Sequence, residues 1–126
     1  KIINKRIFKK FKAADGSPDG MTLDRNKNLW VAHFHGARIS VLNPKAKLIH
    51  TINLPAKNIT NCAFGGLKNN QLFVTSAIKG LNKSDLQKFK YSGCLFSVKT
   101  NTRGILQKKF IYNYEKKRSL LRENTH

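Results

Sequence analysis

The hydrophobic positions of this chain recur in short runs rather than with the three-to-four-residue period of a helix. Apolar and β-branched runs stand at 21–23 (MTL), 29–34 (LWVAHF), 38–42 (RISVL) and 48–54 (LIHTINL). They resume at 61–64 (NCAF), 71–77 (QLFVTSA), 93–98 (GCLFSV) and 104–112 (GILQKKFIY). Turn formers fill the gaps: DRNKN at 24–28, HGA at 35–37, NPKAK at 43–47, GGLKNN at 65–70 and TNTRG at 100–104. Runs of this length bounded by Gly, Pro, Asn and Asp read as β-strands. Helical patterning is confined to KSDLQKF at 83–89, enough for one short turn, and to the tail YEKKRSLLRENTH.

Short strands at intervals of about eight to twelve residues indicate a sandwich, a barrel or a propeller. The grouping selects the propeller. Residues 19–54 form one set of four strands and 61–112 a second, and a repeat of roughly 40 to 50 residues is the period of propeller blades. The opening IINKRIFKKF then supplies the outermost strand of an earlier blade. The expectation is an all-β chain of about two and a half blades of four-stranded antiparallel sheet. Residues 1–112 form the partial propeller and 113–126 a basic C-terminal tail.

With 126 residues the chain is the size of one domain. No apolar run approaches the roughly 18 to 20 residues of a membrane helix. Two cysteines, Cys62 and Cys94, lie far apart with no CxxC pairing, which suits buried thiols in a reducing compartment. A soluble, cytoplasmic protein is expected. Charge changes the picture: 25 Lys and Arg against 6 Asp and Glu leave a net +19, so the first suspected partner is a polyanion, either nucleic acid or an acidic membrane surface. The basic residues nevertheless scatter along the whole chain, clustering only at 9–12 (KKFK) and 115–122 (EKKRSLLR). Phe8, Phe11, Phe89 and Tyr91 interleave with lysines as in single-strand binders, but half-buried strands flanked by solvated lysines give the same pattern. A nucleic-acid partner is therefore disfavoured and no membrane partner is expected.

The candidate chemistry gathers at SPDGM, 17–21. Pro18 fixes its φ and Gly20 permits a positive one, so a turn here would aim the Asp19 carboxylate at the top of the innermost strand, toward the axial channel of a propeller. Hard divalent ions take such oxygen ligands. By itself Pro-Asp-Gly is a common turn whose Asp bonds its own backbone. His33 and His35 would share one side of an extended strand, a pair with no third ligand at a suggestive spacing. His50 reads as a surface strand position. Asp15 and Asp24 read as turn residues, Asp15 adding negative potential near Asp19. Thr75 and Ser76 lack the G-x-S-x-G setting of an activated nucleophile. Gly65-Gly66 reads as a tight hairpin, since no helix follows to receive a phosphate.

In order along the chain stand SPDGM, LD-x4-LWVA, GARISVLNP, TINLP, TNCAFGG, LFVTSA and GCLFSV. This series resembles the C-terminal half of the senescence marker protein, gluconolactonase and regucalcin family, while Ala37 and Cys94 stand where members often carry Gly. The resemblance implies a six-bladed β-propeller with a divalent metal (Ca, Zn, Mg or Mn) at the mouth of its channel. It also implies metal-dependent hydrolysis of a sugar lactone such as gluconolactone. The aspartate of the PDG turn is a metal ligand in that family and is often assigned as the base, so both roles fall on Asp19. A glutamate and an asparagine that complete the family's ligand set belong to earlier blades. Three functions follow: the C-terminal part of a metal-dependent sugar lactonase, incomplete as a catalyst on its own; a truncated, non-catalytic remnant; or a basic nucleic-acid module. The first is preferred. Exposed blade faces would favour self-association.

Overall fold

A computed structural model describes residues 3–108. Two antiparallel sheets lie side by side. The first contains β1 (Ser17–Leu23), β2 (Leu29–Phe34), β3 (Arg38–Leu42) and β4 (Leu48–Asn53). The second contains β5 (Asn58–Gly65), β6 (Gln71–Ala77) and β7 (Leu95–Lys99). Within each sheet every strand pairs with its neighbour in sequence, and all but the β6–β7 connection are short turns. A short helix, α1 (Lys83–Lys88), interrupts the passage from β6 to β7, and its N-cap Asn82 accepts the Asp85 N–H at 2.8 Å.

The core lies between the sheets. Trp30 and Ala32 of β2 and Ile39 and Val41 of β3 pack against Ile59, Cys62, Leu72 and Val74, with Leu54 and Ala56 filling the seam. Ile39, Ile59 and Leu72 are fully buried, each contributing about 1.5–3 kcal/mol by removal from water. The central strands β2 and β3 are buried nearly throughout, which is why LWVAHF and RISVL read as almost unbroken apolar runs. The edge strand β1 is mostly exposed and lies against β5.

The all-β, antiparallel expectation holds. The structure has two sheets and no closed ring among the described residues, so neither six blades nor two and a half is established by it. The described part of the opening segment, 3–12, forms no strand, having no neighbouring strand to complete a ladder of hydrogen bonds. Among the described residues the second sheet has three strands: within 104–108 only Gly104 joins a ladder, in an isolated bridge to Asp24. Residues 109–112, the proposed boundary at 112 and the tail lie outside the described residues. The turn before β7 also runs longer than expected, with Gly93 at φ 89 and the strand starting at Leu95. Cys94 is thereby left exposed, against the expectation of two buried thiols, whereas Cys62 is buried and its thiol is pushed up to about 12 by desolvation.

A candidate site at the bulge of the first strand

Asp19 stands at a break in the ladder. Pro18 pairs with His33 and Met21 with Val31, so Asp19 and Gly20 together oppose the single residue Ala32. This is a one-residue β-bulge, a device that redirects a side chain away from the regular alternation. SPDGM is thus a bulged strand rather than a turn, and the expected positive φ of Gly20 is not found. Glycine is required there for room. A Cβ at Gly20 would overlap the Asn61 side chain and stand 2.7 Å from the Asn61 Cα. The two sheets therefore approach closely one residue beyond Asp19.

The second sheet repeats the arrangement. Ile59 pairs with Ser76 and Asn61 with Thr75, leaving Thr60 as the extra residue. Counting from the bulges, Pro18, Asp19 and Gly20 correspond to Ile59, Thr60 and Asn61. Thr60 Oγ1 lies 2.7 Å from Thr75 Oγ1, and the Asn61 carboxamide oxygen accepts the Cys62 N–H at 2.8 Å. Thr60 and Asn61 did not emerge from the sequence as site residues. Aligning the two four-strand sets on LWVAHF and QLFVTSA was the signal that could have found them.

Of the four carboxylates among the described residues, only Asp19 is exposed and without an assigned partner. Asp15 receives the Lys12 N–H at 3.1 Å and an ion pair from Arg38 at 2.9 Å. Burial alone would raise its carboxyl, but the Lys12 amide and the Arg38 guanidinium outweigh it and hold it below the usual range. Asp15 therefore adds little free negative potential beside Asp19. Asp85 pairs with Lys57 at 2.6 Å, which holds its carboxyl low. Asp24 is more than a turn residue. It is buried, and its two oxygens accept the Asn26 and Asn28 N–H groups at 2.9 Å, the Asn28 carboxamide at 2.9 Å and the Trp30 indole N–H at 3.1 Å.

The HFH pair does not form. His33, next to last in β2, is fully buried, with its ring edge-on to Phe11 at 4.6 Å, whereas His35 is exposed in the following turn at φ 64. The period of two ends where the strand ends. His50 is exposed on β4, as expected. Neither His33 nitrogen has a hydrogen-bond partner among the described residues. Burial pushes the ring's proton affinity down and the nearby Arg38 charge adds to this, while Asp15 and Gly16 oppose without cancelling it. The unfolded chain then binds a proton more readily than the native one, so stability contributed by neutral His33 is present above about pH 6.5 and falls as pH drops through it. Urea midpoints at pH 7.5 and 5.5 are expected to show that fall, and His33→Phe is expected to remove most of it. Loss of the paired Asp15 and Asp85 carboxylates belongs to a separate window, below about pH 4.

The loops around the start of β1 are well braced. Asn58, fully buried, accepts the His35 N–H at 3.2 Å and donates to the Lys79 carbonyl at 2.9 Å. Ser76 donates to the Cys94 carbonyl at 2.8 Å and accepts the Gly93 N–H at 3.0 Å. It holds the segment between β6 and β7 in place, and among the described residues its hydroxyl bonds backbone rather than a base. Gly65 and Gly66 close the β5–β6 hairpin, as expected.

No group of three or more His, Cys, Asp or Glu side chains capable of holding a metal occurs among the described residues. One carboxylate with amide and hydroxyl neighbours does not meet the roughly six to eight oxygens of calcium or the near-octahedral set of magnesium. The described residues do not by themselves fit a divalent ion.

Two antiparallel meander sheets that share a core, with their bulged edge strands in contact, define an all-β assembly. The family model described as SMP-30/Gluconolactonase/LRE-like region matches residues 1–78, and the chain belongs to that family. It is 41% identical over 98 residues to regucalcin of Danio rerio, covering 77% of this chain and 33% of that protein. It is likewise 41% identical over 104 residues to the "Putative sugar lactone lactonase YvrE" of Bacillus subtilis (strain 168), covering 82% and 36%. Among solved structures it resembles a luciferin-regenerating enzyme with a TM-score of 0.65 at 35% identity, covering 74% of this chain and 31% of that one. Regucalcin of Agrobacterium tumefaciens, described as a calcium-binding protein, superposes with a TM-score of 0.69 at 24% identity over 73% and 31%, a likeness of fold. The chain spans about a third of the length of these relatives. No helix among the described residues is long and apolar enough to cross a membrane.

Proposed function

We propose that this chain contributes the Asp19 portion of the active site of a sugar-lactone hydrolase of the gluconolactonase type. The observation that carries the reading is the placement of Asp19: exposed, in a bulge at the contact of two sheets, while the other three described carboxylates are engaged elsewhere. Family membership and the sugar-lactone relative support the substrate class.

Asp19 would serve as one oxygen ligand of a divalent ion and as the acceptor of the proton released when water attacks the lactone carbonyl. The remaining ligands would come from outside the described residues. Such an ion, when bound, polarises the carbonyl and acidifies water. In the reaction, water adds to the acyl carbon, the ring C–O bond breaks, and the alkoxide leaving group takes a proton to give the open hydroxy acid. The amide nitrogen of Asn61, beside Gly20 and with its oxygen taken by the Cys62 N–H, would orient a polar group at the same bulge.

In the protein carrying this sequence, assayed with gluconolactone and added divalent ion, Asp19→Asn is expected to lower kcat/KM by about a hundredfold or more, the usual scale for losing a general base. Far-UV circular dichroism should stay unchanged. Unaltered hydrolysis in a folded variant would remove Asp19 from the reaction.

A further inference from the structure

The end of the sheets opposite Asp19 collects charges that the sequence disperses. β1 runs from Ser17 to Leu23, so the β1–β2 turn lies roughly 16 Å from Asp19 at about 3.3 Å per residue. There a groove of about 600 Å³ is lined by Arg25 and Lys27 from that turn, Lys68 from the β5–β6 turn, and Arg103 from the segment after β7. The backbone beneath it is cross-braced. Arg25 N–H donates to the Arg103 carbonyl at 2.8 Å, Gly104 N–H to the Asn69 carbonyl at 2.8 Å, and the Asn69 side chain to the Gly104 carbonyl at 2.8 Å. Four cations from three separate stretches of chain are thus held together, and the nearest described carboxylate, Asp24, is buried with both oxygens occupied.

The apolar part of this groove identifies the partner. Leu67 at the hairpin tip is completely exposed, at 110%, and Leu106 beside it at 84%. Aliphatic side chains at a protruding tip, ringed by Lys and Arg, suit entry into the acyl boundary of a bilayer while the cations meet anionic headgroups. A single-stranded nucleic acid would instead call for aromatic stacking platforms, and among the described residues no aromatic side chain lines the groove. We infer that this end of the chain docks peripherally on an anionic phospholipid surface, with Leu67 entering the interface and Arg25, Lys27, Lys68 and Arg103 contacting the headgroups.

The test is flotation of the full 126-residue chain with phosphatidylcholine vesicles, with and without about 30% phosphatidylserine, in about 0.1 M salt. Binding is expected to be at least about tenfold tighter with phosphatidylserine and to weaken as salt rises. Paired reversal, Arg25→Glu with Lys68→Glu, should lower the affinity at least about tenfold, and Leu67→Ser about three- to tenfold. Lys79→Glu with Lys83→Glu, the same charge change at the other end, should have much the smaller effect. Circular dichroism checks that each variant is folded. Equal binding to neutral vesicles, equal losses from both reversals, or an unaffected Leu67→Ser would overturn the inference. So would tighter binding to a single-stranded oligonucleotide than to the anionic vesicles.

Discussion

Replacing Asp24 by alanine is expected to destabilise the chain by about 3–5 kcal/mol, enough to move a urea midpoint by 1 M or more at the usual slopes of about 1–3 kcal/mol per M. The carboxylate receives two backbone N–H groups, the Asn28 carboxamide and the Trp30 indole. Its removal strands several donors, one of them on a residue only 5% exposed, and each buried unsatisfied donor costs about 1–3 kcal/mol. The effect propagates because Trp30 meets Phe64 of the second sheet edge-to-face at 5.2 Å. Phe64 in turn leaves no room for a side chain at Gly104. Asp24 thereby sets the indole that joins the sheets. Asp24→Asn should fall between alanine and the native residue, since it keeps an acceptor but loses the charge. A midpoint for Asp24→Ala within error of the native chain would refute this account.

Gly20→Val is expected to have the second largest effect, about 3 kcal/mol, at the upper end of the usual overpacking range. The contact that a Cβ would make is partly with backbone, the Asn61 Cα at 2.7 Å, which cannot swing aside like the tip of a side chain. Asn61→Ala in the same chain should therefore restore only part of the loss. Because Asp19 precedes Gly20 in the bulge, the substitution should also impair lactone hydrolysis by more than its stability cost explains. Full rescue by Asn61→Ala would show that the backbone approach is not the constraint.

Much of the fold was readable because strand signals are local. LWVAHF, RISVL and QLFVTSA are β-branched or apolar runs closed by turn residues, and each became a strand within a residue or two of its expected limits. KSDLQKF follows the N-cap residue Asn82, and its first six residues became the helix. The errors arose where pairing decides. Residues 104–108 and 3–12 have strand-like composition but no continuous partner, and a strand is defined by the hydrogen bonds of a neighbour. The HFH pair failed for a related reason, because alternation lasts only as long as the ladder does.

At the candidate site the division is sharper. The ordered motif series singled out Asp19 at a strand start, but local sequence misread why glycine follows. A glycine required for a turn and one required for a close approach look the same in a linear chain. Only the packing of β5 on β1 separates them, because the obstructing atom belongs to Asn61, some forty positions away. The same holds for the four cations opposite the site, which lie far apart in sequence and meet because three connections end at one edge of the sheets. By itself the sequence determined most of the strands, the short helix, the antiparallel order and the family, all of which follow from local patterns. The tertiary structure alone decided which polar groups are engaged and which are left for a ligand, because burial and partnership are properties of contacts between distant residues.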